Sequence, residues 1–410
     1  MHREVLETIL DIRSPWYVCG MTIDQERNRV EVSVDFTIGT RFPHPSASGL
    51  HPVHDTTEGT YRTLDLCGFQ CFLKVRQPRV KLPNGQVLLV RPEWAGKLAG
   101  FTLKFEAMIV AFASAMPWLT VARLTKTSYH SVRTIINRYV DLAEAKADLS
   151  EMTMAAVDET SSKRGHNYIT IVADAEKRKV VFVTEGRNSK TIEEFAEHLL
   201  CRNATPEQIS NISMDMSPAF ISGATSHLPN ARITYDKFHV VAHASKALDE
   251  TRRHEQKTNA ALKGTRWILL KDRDKLNDRD RAVLDHLISN VTTHRTARAW
   301  LYREQLREIL DRVQVNVVEK MLKKWCQNVL RSKVTEMHRV AHMIRKHFDG
   351  ILAWTQTRQT NGFLEAINGL FQSAKRAARG YKSFQTMRAV MFLIAGDLDF
   401  HVINPHVVRK

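Results

Sequence analysis

The stretch "MAAVDETSSKRGHNYITIVAD", residues 154–174, decides how the chain is read. An apolar run stops at two adjacent carboxylates, Asp158 and Glu159. A basic turn follows, and then a second strand-like run, "NYITIVAD". A third, "KVVFVTE" (179–185), completes three strands joined by short polar turns, the pattern of an antiparallel meander. Downstream, "KTIEEFAEHLLC" (190–201) is an amphipathic helix with Ile192, Phe195, Leu199 and Leu200 on one side. "NISMD" (211–215) is a fourth strand, "SPAFISGATSHL" (217–228) a helix opening at Ser217 and Pro218, and "ARITYD" (231–236) a fifth strand. The order is three strands, helix, strand, helix, strand, and the class is α/β with a mixed five-stranded sheet.

Working outward, residues 1–98 form a small β-rich module. "WYVCGMTI", "RVEVSVDFTI" and "CFLKVRQPRV" read as strands, punctuated by the turns "PHPSASG" and "LPNGQ". Residues 99–148 change period. "LKFEAMIVAFASAM" is helical, Pro117 marks a break, "TVARLTK" is a short helix, "TSYH" a tight connection and "SVRTIINRYVDLA" a longer helix. Short helix, tight turn and longer helix make a helix-turn-helix pattern, in which Ser131, Arg133 and Thr134, with Arg138 a turn further on, face the DNA. Two helices of an ordinary bundle would give the same pattern. The α/β unit begins at 149 and runs to 242. A helical, heavily charged stretch from 243 to 350 interrupts it, and residues 351–410 return to the core with terminal helices.

The chain of 410 residues carries 60 Lys and Arg against 44 Asp and Glu, a formal net charge of +16. Such an excess points to a polyanionic partner, nucleic acid before an anionic membrane. No run approaches the ~20 apolar residues of a membrane span, and the N-terminus does not read as a signal peptide. Five scattered cysteines argue against a disulfide framework. The reading is a cytoplasmic, nucleoid-associated protein.

Three acids occupy related places. Asp158 ends the first strand of the α/β unit, Asp215 ends the fourth, and Glu365 lies in the last helix block, "TNGFLEAINGLFQSAKRAARGYKSF". Hard oxygen ligands at strand ends suit Mg²⁺, which is held by a few carboxylates and substrate phosphate. Two such ions can clamp an in-line displacement at phosphorus. Each acid also has a plainer role open to it, because a strand-terminal Asp is often a turn-former or helix cap. Glu159 points to the opposite face of its strand and reads as solvated. Around Glu365, Phe363, Leu364, Ile367, Leu370, Phe371 and Ala374 form an apolar stripe. Asn361, Glu365, Asn368, Gln372, Arg376 and Arg379 project from the other side, and Lys375, Arg376, Arg379 and Lys382 offer a phosphate-binding row.

From roughly residue 40 to 395 the sequence resembles the DDE transposases of bacterial insertion sequences, in the group called ISL-three. "VDETSSKRGHNYITIVAD" is similar to the family's block around its first aspartate, and "ISMDMSPAFISGATSHLPNARITYDKFHVV" to the block around its second. "GTRWILLKDRDKL" resembles the start of its helical insertion, and "TNGFLEAINGLFQSAKRAARGYKSFQTMR" its terminal block with the glutamate. The resemblance implies an RNase H-like catalytic core with Asp158, Asp215 and Glu365 as catalytic, metal-holding residues. It implies Mg²⁺ as cofactor, with Mn²⁺ able to substitute, and double-stranded DNA (element ends and target) as partner to a homo-oligomer. One departure concerns the N-terminus, where the family carries a zinc ribbon with paired cysteines. The matching segments here, "FPHPSASG" and "LPNGQV", contain none, so zinc is not expected. Cys67 and Cys71, between them, read as buried strand positions. In "YDKFHVV", Asp236 either approaches the site or ends a strand, and His239 reads as helping to cap the next helix.

The expected function is therefore a transposase that cuts at the ends of its insertion sequence and joins them to a target. The rivals are a helix-turn-helix regulator, a decayed transposase that binds without cutting, and a nuclease of the same fold.

Overall fold

The computed structural model describes residues 3–163, 165, 167–289, 294–359 and 361–408, so Arg164 and His166 of the basic turn lie outside the described residues. Two units divide the chain, Met1–Ala147 with Phe371–Lys410, and Asp148–Leu370.

The first unit begins with α1 (Arg3–Leu10), β1 (Trp16–Asp24), β2 (Arg29–Phe36), β3 (Arg41–His44), β4 (Ala47–Arg62), β5 (Gln70–Lys81) and β6 (Val87–Leu89). The strands form one sheet in the order β1-β2-β5-β4-β3, with β6 beside β5. Strict alternation in β2 buries Val30, Val32, Val34 and Phe36 and turns Glu31 and Asp35 outward. That is the period a half-buried strand requires. Trp16 packs on Phe36, Phe42 and Trp94 at ring separations of 5.7, 5.6 and 6.5 Å, so an aromatic core holds the sheet.

Two expectations about this module change. The "PHPSASG" segment is mostly strand, with a tight turn between β3 and β4. Pro43 is tolerated because β3 lies at the sheet edge, where a missing N–H costs no ladder bond. Cys67 is exposed in a turn with φ 51°, whereas Cys71 is fully buried on β5 and burial pushes its thiol to about 11.

After the sheet come α2 (Leu103–Ala115), α3 (Trp118–Leu124) and α4 (Tyr129–Ala145). Ser128 caps α4 by accepting from the Ser131 N–H at 2.9 Å. The helix buries Val132, Ile135, Ile136, Tyr139 and Val140 along one face. Beneath it sits Glu106, wholly buried, which accepts from the Lys97 and Leu98 amides at 2.8 and 2.7 Å and from the Tyr139 hydroxyl at 2.8 Å. Asn404 donates to the same hydroxyl at 2.7 Å. The C-terminal helix α15 (Phe384–Ala395) belongs here as well, and its Arg388 pairs with Asp141 and Glu144 on α4.

The second unit carries β7 (Met154–Lys163), β8 (Asn167–Asp174), β9 (Lys179–Glu185), α5 (Lys190–Leu200), β10 (Asn211–Met214), α6 (Pro218–His227), β11 (Arg232–Tyr235) and α7 (Lys237–Glu255). The sheet order is β11-β10-β7-β8-β9, with β7, β8 and β9 antiparallel and β10 and β11 parallel to β7. The expected mixed five-stranded sheet is therefore present. The expected boundary at residue 243 falls inside α7, which runs unbroken through it. The helices that follow are α8 (Arg266–Leu270), α9 (Asp278–Ser289), α10 (His294–Asp311), α11 (Val315–Leu330), α12 (Thr335–Lys346) and α13 (Phe348–Thr357). They share one hydrophobic core with the sheet, running from Val157 and Val172 through Leu248 to Leu322 and Ile344. Close approach matters at Gly350, where a Cβ would lie 2.4 Å from the Tyr235 ring, so α13 can lie against β11 only with glycine there.

The last long helix is α14 (Gly362–Ala377). The second unit ends within it, at Leu370. Residues 371–410, expected to complete the α/β core, instead group with the first unit, where Phe371 packs against Tyr381 at 6.2 Å.

Glu106→Gln tests the first unit. Either amide orientation sets an NH₂ against the Lys97 or Leu98 N–H, so urea denaturation of the full chain should read a loss of about 1–3 kcal/mol. Unchanged stability would show that the buried carboxylate is not needed as an acceptor.

Candidate active site

The site is built in the second unit from β7 outward. Asp158, expected to end its strand, lies inside β7, which runs on to Lys163 because β8 pairs along it. Both its oxygens are engaged: Oδ1 accepts from the Glu159 N–H at 2.8 Å and Oδ2 from Asn368 Nδ2 at 2.7 Å. Asp215 follows β10 and accepts from the Ser217 N–H at 2.9 Å, an Asx turn that leads into α6 with Pro218 in its first turn. It thus plays the plainer turn-forming role and stands at the site as well. Glu365 lies in the first turn of α14 and is exposed.

A polar strap brings α14 to β7. Gln359 Nε2 donates to the Ala155 carbonyl at 2.7 Å, and Asn361 Nδ2 to the Val157 carbonyl at 3.2 Å. The Asn361 N–H donates to Asp236 Oδ2 at 2.6 Å, while Asp236 Oδ1 caps α7 by accepting from the Phe238 N–H at 2.9 Å. Asp236, left open by the sequence, is therefore a buried clamp. His239 does not make the cap. It lines a cavity of about 520 Å³ with Glu159, Arg187, Asp215, Ser217 and His243, and its buried Nε2 has no hydrogen-bond partner among the described residues.

Asp158 feels both of the other expected acids. Burial pushes the Asp158 carboxyl above its ordinary range; the Glu159 N–H and His239 oppose this, and the charges of Asp215 and Glu365 add to it. Asp158 is thus near enough to both of these sequence-distant carboxylates to be repelled by each. Glu159, expected to be solvated, is half-buried and ion-paired with Arg187 at 3.4 Å. Its carboxyl is also pushed up, by burial first and then by Asp215. Among the described residues, no three His, Cys, Asp or Glu side chains stand close enough to hold one metal ion together. The donor chemistry nonetheless suits a hard cation, since a half-buried carboxylate that feels two others is relieved by positive charge.

The other expected residues lie elsewhere. Ser131, Arg133, Thr134 and Arg138 are on α4. Lys375 and Arg376 on α14, and Arg379 and Lys382 beyond it, also fall in the first unit. In the expected apolar stripe Leu364, Ile367 and Phe371 are buried, but Leu370 is 58% exposed.

With this geometry in place, comparison with known sequences is decisive. The sequence model of the ISL3 transposases matches residues 155–391, more than half of the chain, and a model of the helix-turn-helix domain of transposase family ISL3 matches residues 90–140. The chain belongs to the ISL3 transposase family. It is 27% identical over 340 residues to the transposase for insertion sequence element IS1001 of Bordetella parapertussis, covering 80% of this chain and 82% of that protein. It is 28% identical over 366 residues to the transposase for IS1557 of Mycobacterium tuberculosis, covering 82% and 81%. A solved structure of a simian T-cell lymphotropic virus intasome with PP2A regulatory subunit B56 gamma matches at 14% identity over 45% of this chain and 69% of that one. Its TM-score of 0.17 carries no argument. This ISL3 chain is therefore an insertion-sequence transposase with a helix-turn-helix DNA-binding domain, and no described helix is long and apolar enough to cross a membrane.

Sequence reading set Asn368 on the face of Glu365 without giving it a partner and passed over Gln359, because an amide on a helix or loop carries no sign of a partner far away in the chain. Asn368→Ala removes a donor that favours the ionised form of Asp158. Its carboxyl, already raised, should then ionise at still higher pH. Divalent-ion binding to the full chain should accordingly set in at higher pH than in the wild type. A midpoint that does not move would remove Asn368 from the site.

Proposed function

We propose that this transposase is a DDE-type polynucleotidyl transferase that cuts at the ends of its insertion sequence and joins the freed strands to target DNA. The observation that carries the reading is that Asp158, held inside β7 by Asn368 of α14, has its carboxyl pushed up by burial and then by the charges of Asp215, just past β10, and Glu365, at the start of α14. The strand order agrees with an RNase H-like core, though α7 to α13 share that core rather than forming a separate domain.

Asp158, Asp215 and Glu365 would hold Mg²⁺, or Mn²⁺ in its place. A divalent ion there supplies charge neutralisation at phosphorus and lowers the pKa of a bound water. The chain's own contribution is position. Two carboxylates are fixed by adjacent strands, the third is brought in by the strap, and Asn368 and the Glu159 amide orient Asp158. In the first reaction a water oxygen bonds to phosphorus and the 3′ oxygen at the element end leaves as a hydroxyl. In the second that 3′ oxygen bonds to a target phosphorus and the target's own 3′ oxygen leaves. Both are in-line displacements, for which alignment and charge compensation are the main requirements.

The arginines of α4 and the cations from Lys375 to Lys382 would bind double-stranded DNA, with phosphate contacts making affinity salt-dependent. The β-rich module would do its part on its aromatic core, without zinc. Synapsis of two ends implies a homo-oligomer on DNA in the bacterial cytoplasm.

Asp158→Asn, Asp215→Asn and Glu365→Gln should each lower cleavage of end-containing DNA by roughly a thousandfold or more while leaving end binding intact. Any variant that still cuts takes its residue out of the trio. Arg133→Ala should cost about 1–3 kcal/mol of affinity for the element end over random duplex, read by competition binding. An unchanged ratio would place end recognition elsewhere.

A further inference from the structure

β9 ends in "VTEGRNSK" (183–190), and the loop after it is held from two sides. Gly186, at φ 97°, donates its N–H to the Tyr168 carbonyl at 2.9 Å, and its carbonyl accepts from Thr170 Oγ1 at 2.7 Å. Only glycine turns there without strain. The next residue, Arg187, lays its guanidinium over the Tyr168 ring, 4.2 Å from the centroid. Stacking fixes the guanidinium without using its N–H groups.

Those groups are largely unspent. Arg187 Nη1 makes one long contact, 3.4 Å, to Glu159 Oε1, and the side chain is 50% exposed. The Nε and Nη2 edge, the one that grips planar or tetrahedral oxyanions in a fork, has no partner among the described residues. Arg187 lines the 520 Å³ cavity beside Asp215 and is the one Lys or Arg among the nine residues that do so. Glu159 and Asp215 line the same cavity, and a phosphodiester entering beside two carboxylates is repelled unless a fixed cation meets it.

We propose that Arg187 is the phosphate-binding residue of this cavity, its Nη1 kept on Glu159 while Nε and Nη2 take the non-bridging oxygens of a DNA phosphodiester next to Asp215. The proposal rests on the reading of the acidic site given above. Tyr168 and Glu159 act as positioning residues, holding the guanidinium in place before DNA arrives.

The test uses the full chain and a duplex spanning the junction between the element end beside its own gene and the flanking DNA. Arg187→Ala should lower cleavage about ten- to a hundredfold. It should also flatten the plot of log affinity against log salt by about one phosphate contact, a slope change of about 0.9. Arg187→Lys should keep the slope, since it keeps the charge, yet recover only part of the rate, and millimolar guanidinium should restore cleavage to the alanine variant. If Arg187→Ala cuts and titrates with salt as the wild type does, the proposal is overturned. It is equally overturned if cleavage falls but the slope stays, because a residue that merely braces Glu159 would give that result. Asp215→Asn serves as control. If that variant still cuts, the acidic-site reading itself fails; if it is inactive, the Arg187 outcomes bear on Arg187 alone.

Discussion

One buried carboxylate sets the position of two helices. Asp236, 1% exposed, spends one oxygen on the first turn of α7 and the other on the Asn361 N–H just before α14. A buried carboxylate left short of donors costs several kcal/mol, so both helix starts are held to it. From that anchor the strap runs along β7. Pairing of β10 with β7 stops at Ala156, and near that point Gln359 and Asn361 reach the carbonyls of Ala155 and Val157. Asn368, one turn along α14 from Glu365, then bonds Asp158, so the same framework sets Glu365 on the side of α14 that meets β7.

The acids explain themselves only as a charge balance. A chain of net charge +16 has no general need for clustered carboxylates. Along β7 successive side chains point to opposite faces. Asp158 meets the Asn368 amide, and Glu159 lines the cavity with Arg187, His239 and His243. The guanidinium compensates Glu159, whereas Asp158 has a neutral amide and a neighbouring N–H. Among the described residues Asp158 enters no ion pair, and it is the carboxyl that an added cation would relieve most.

What the sequence made legible follows from how locally each feature is encoded. The five strands of the second sheet were readable because burial on both faces produces short apolar runs, as in "ITIVAD" and "NISM", with polar turns between them. β4 was not: "ASGLHPVHDTTEGTYR" buries only His51 and its last two residues, and it is a strand because β5 pairs along it. Asp215 could be picked out past a strand end and Glu365 by its helix face and family block, whereas Asp158 stood out only because the apolar run stops there; the strand itself continues through polar residues that β8 pairs. The strap could not be read at all, since Gln359, Asn361 and Asn368 are ordinary polar residues until their partners are known. Leu370 misled for the opposite reason, fitting an apolar period that the packing does not use. The boundary at 243 failed because α7 changes from a core helix to a charged one without any break in its backbone.

The same accounting narrows what α4 offers to DNA under the proposed function. Ser131 Oγ lies 2.9 Å from Ser128 Oγ within the helix cap, and Thr134 Oγ1 donates to the His130 carbonyl at 2.8 Å. Both hydroxyls are already occupied at home, and turning them toward a base edge would cost a local hydrogen bond. Arg133 and Arg138 enter no ion pair among the described residues, and their donors are available at no such cost. Of the four residues marked on this helix, the two arginines are the ones whose chemistry is still unspent. Under that proposal sequence discrimination by α4 would rest on guanidinium contacts, which favour guanine edges in the major groove over the other bases.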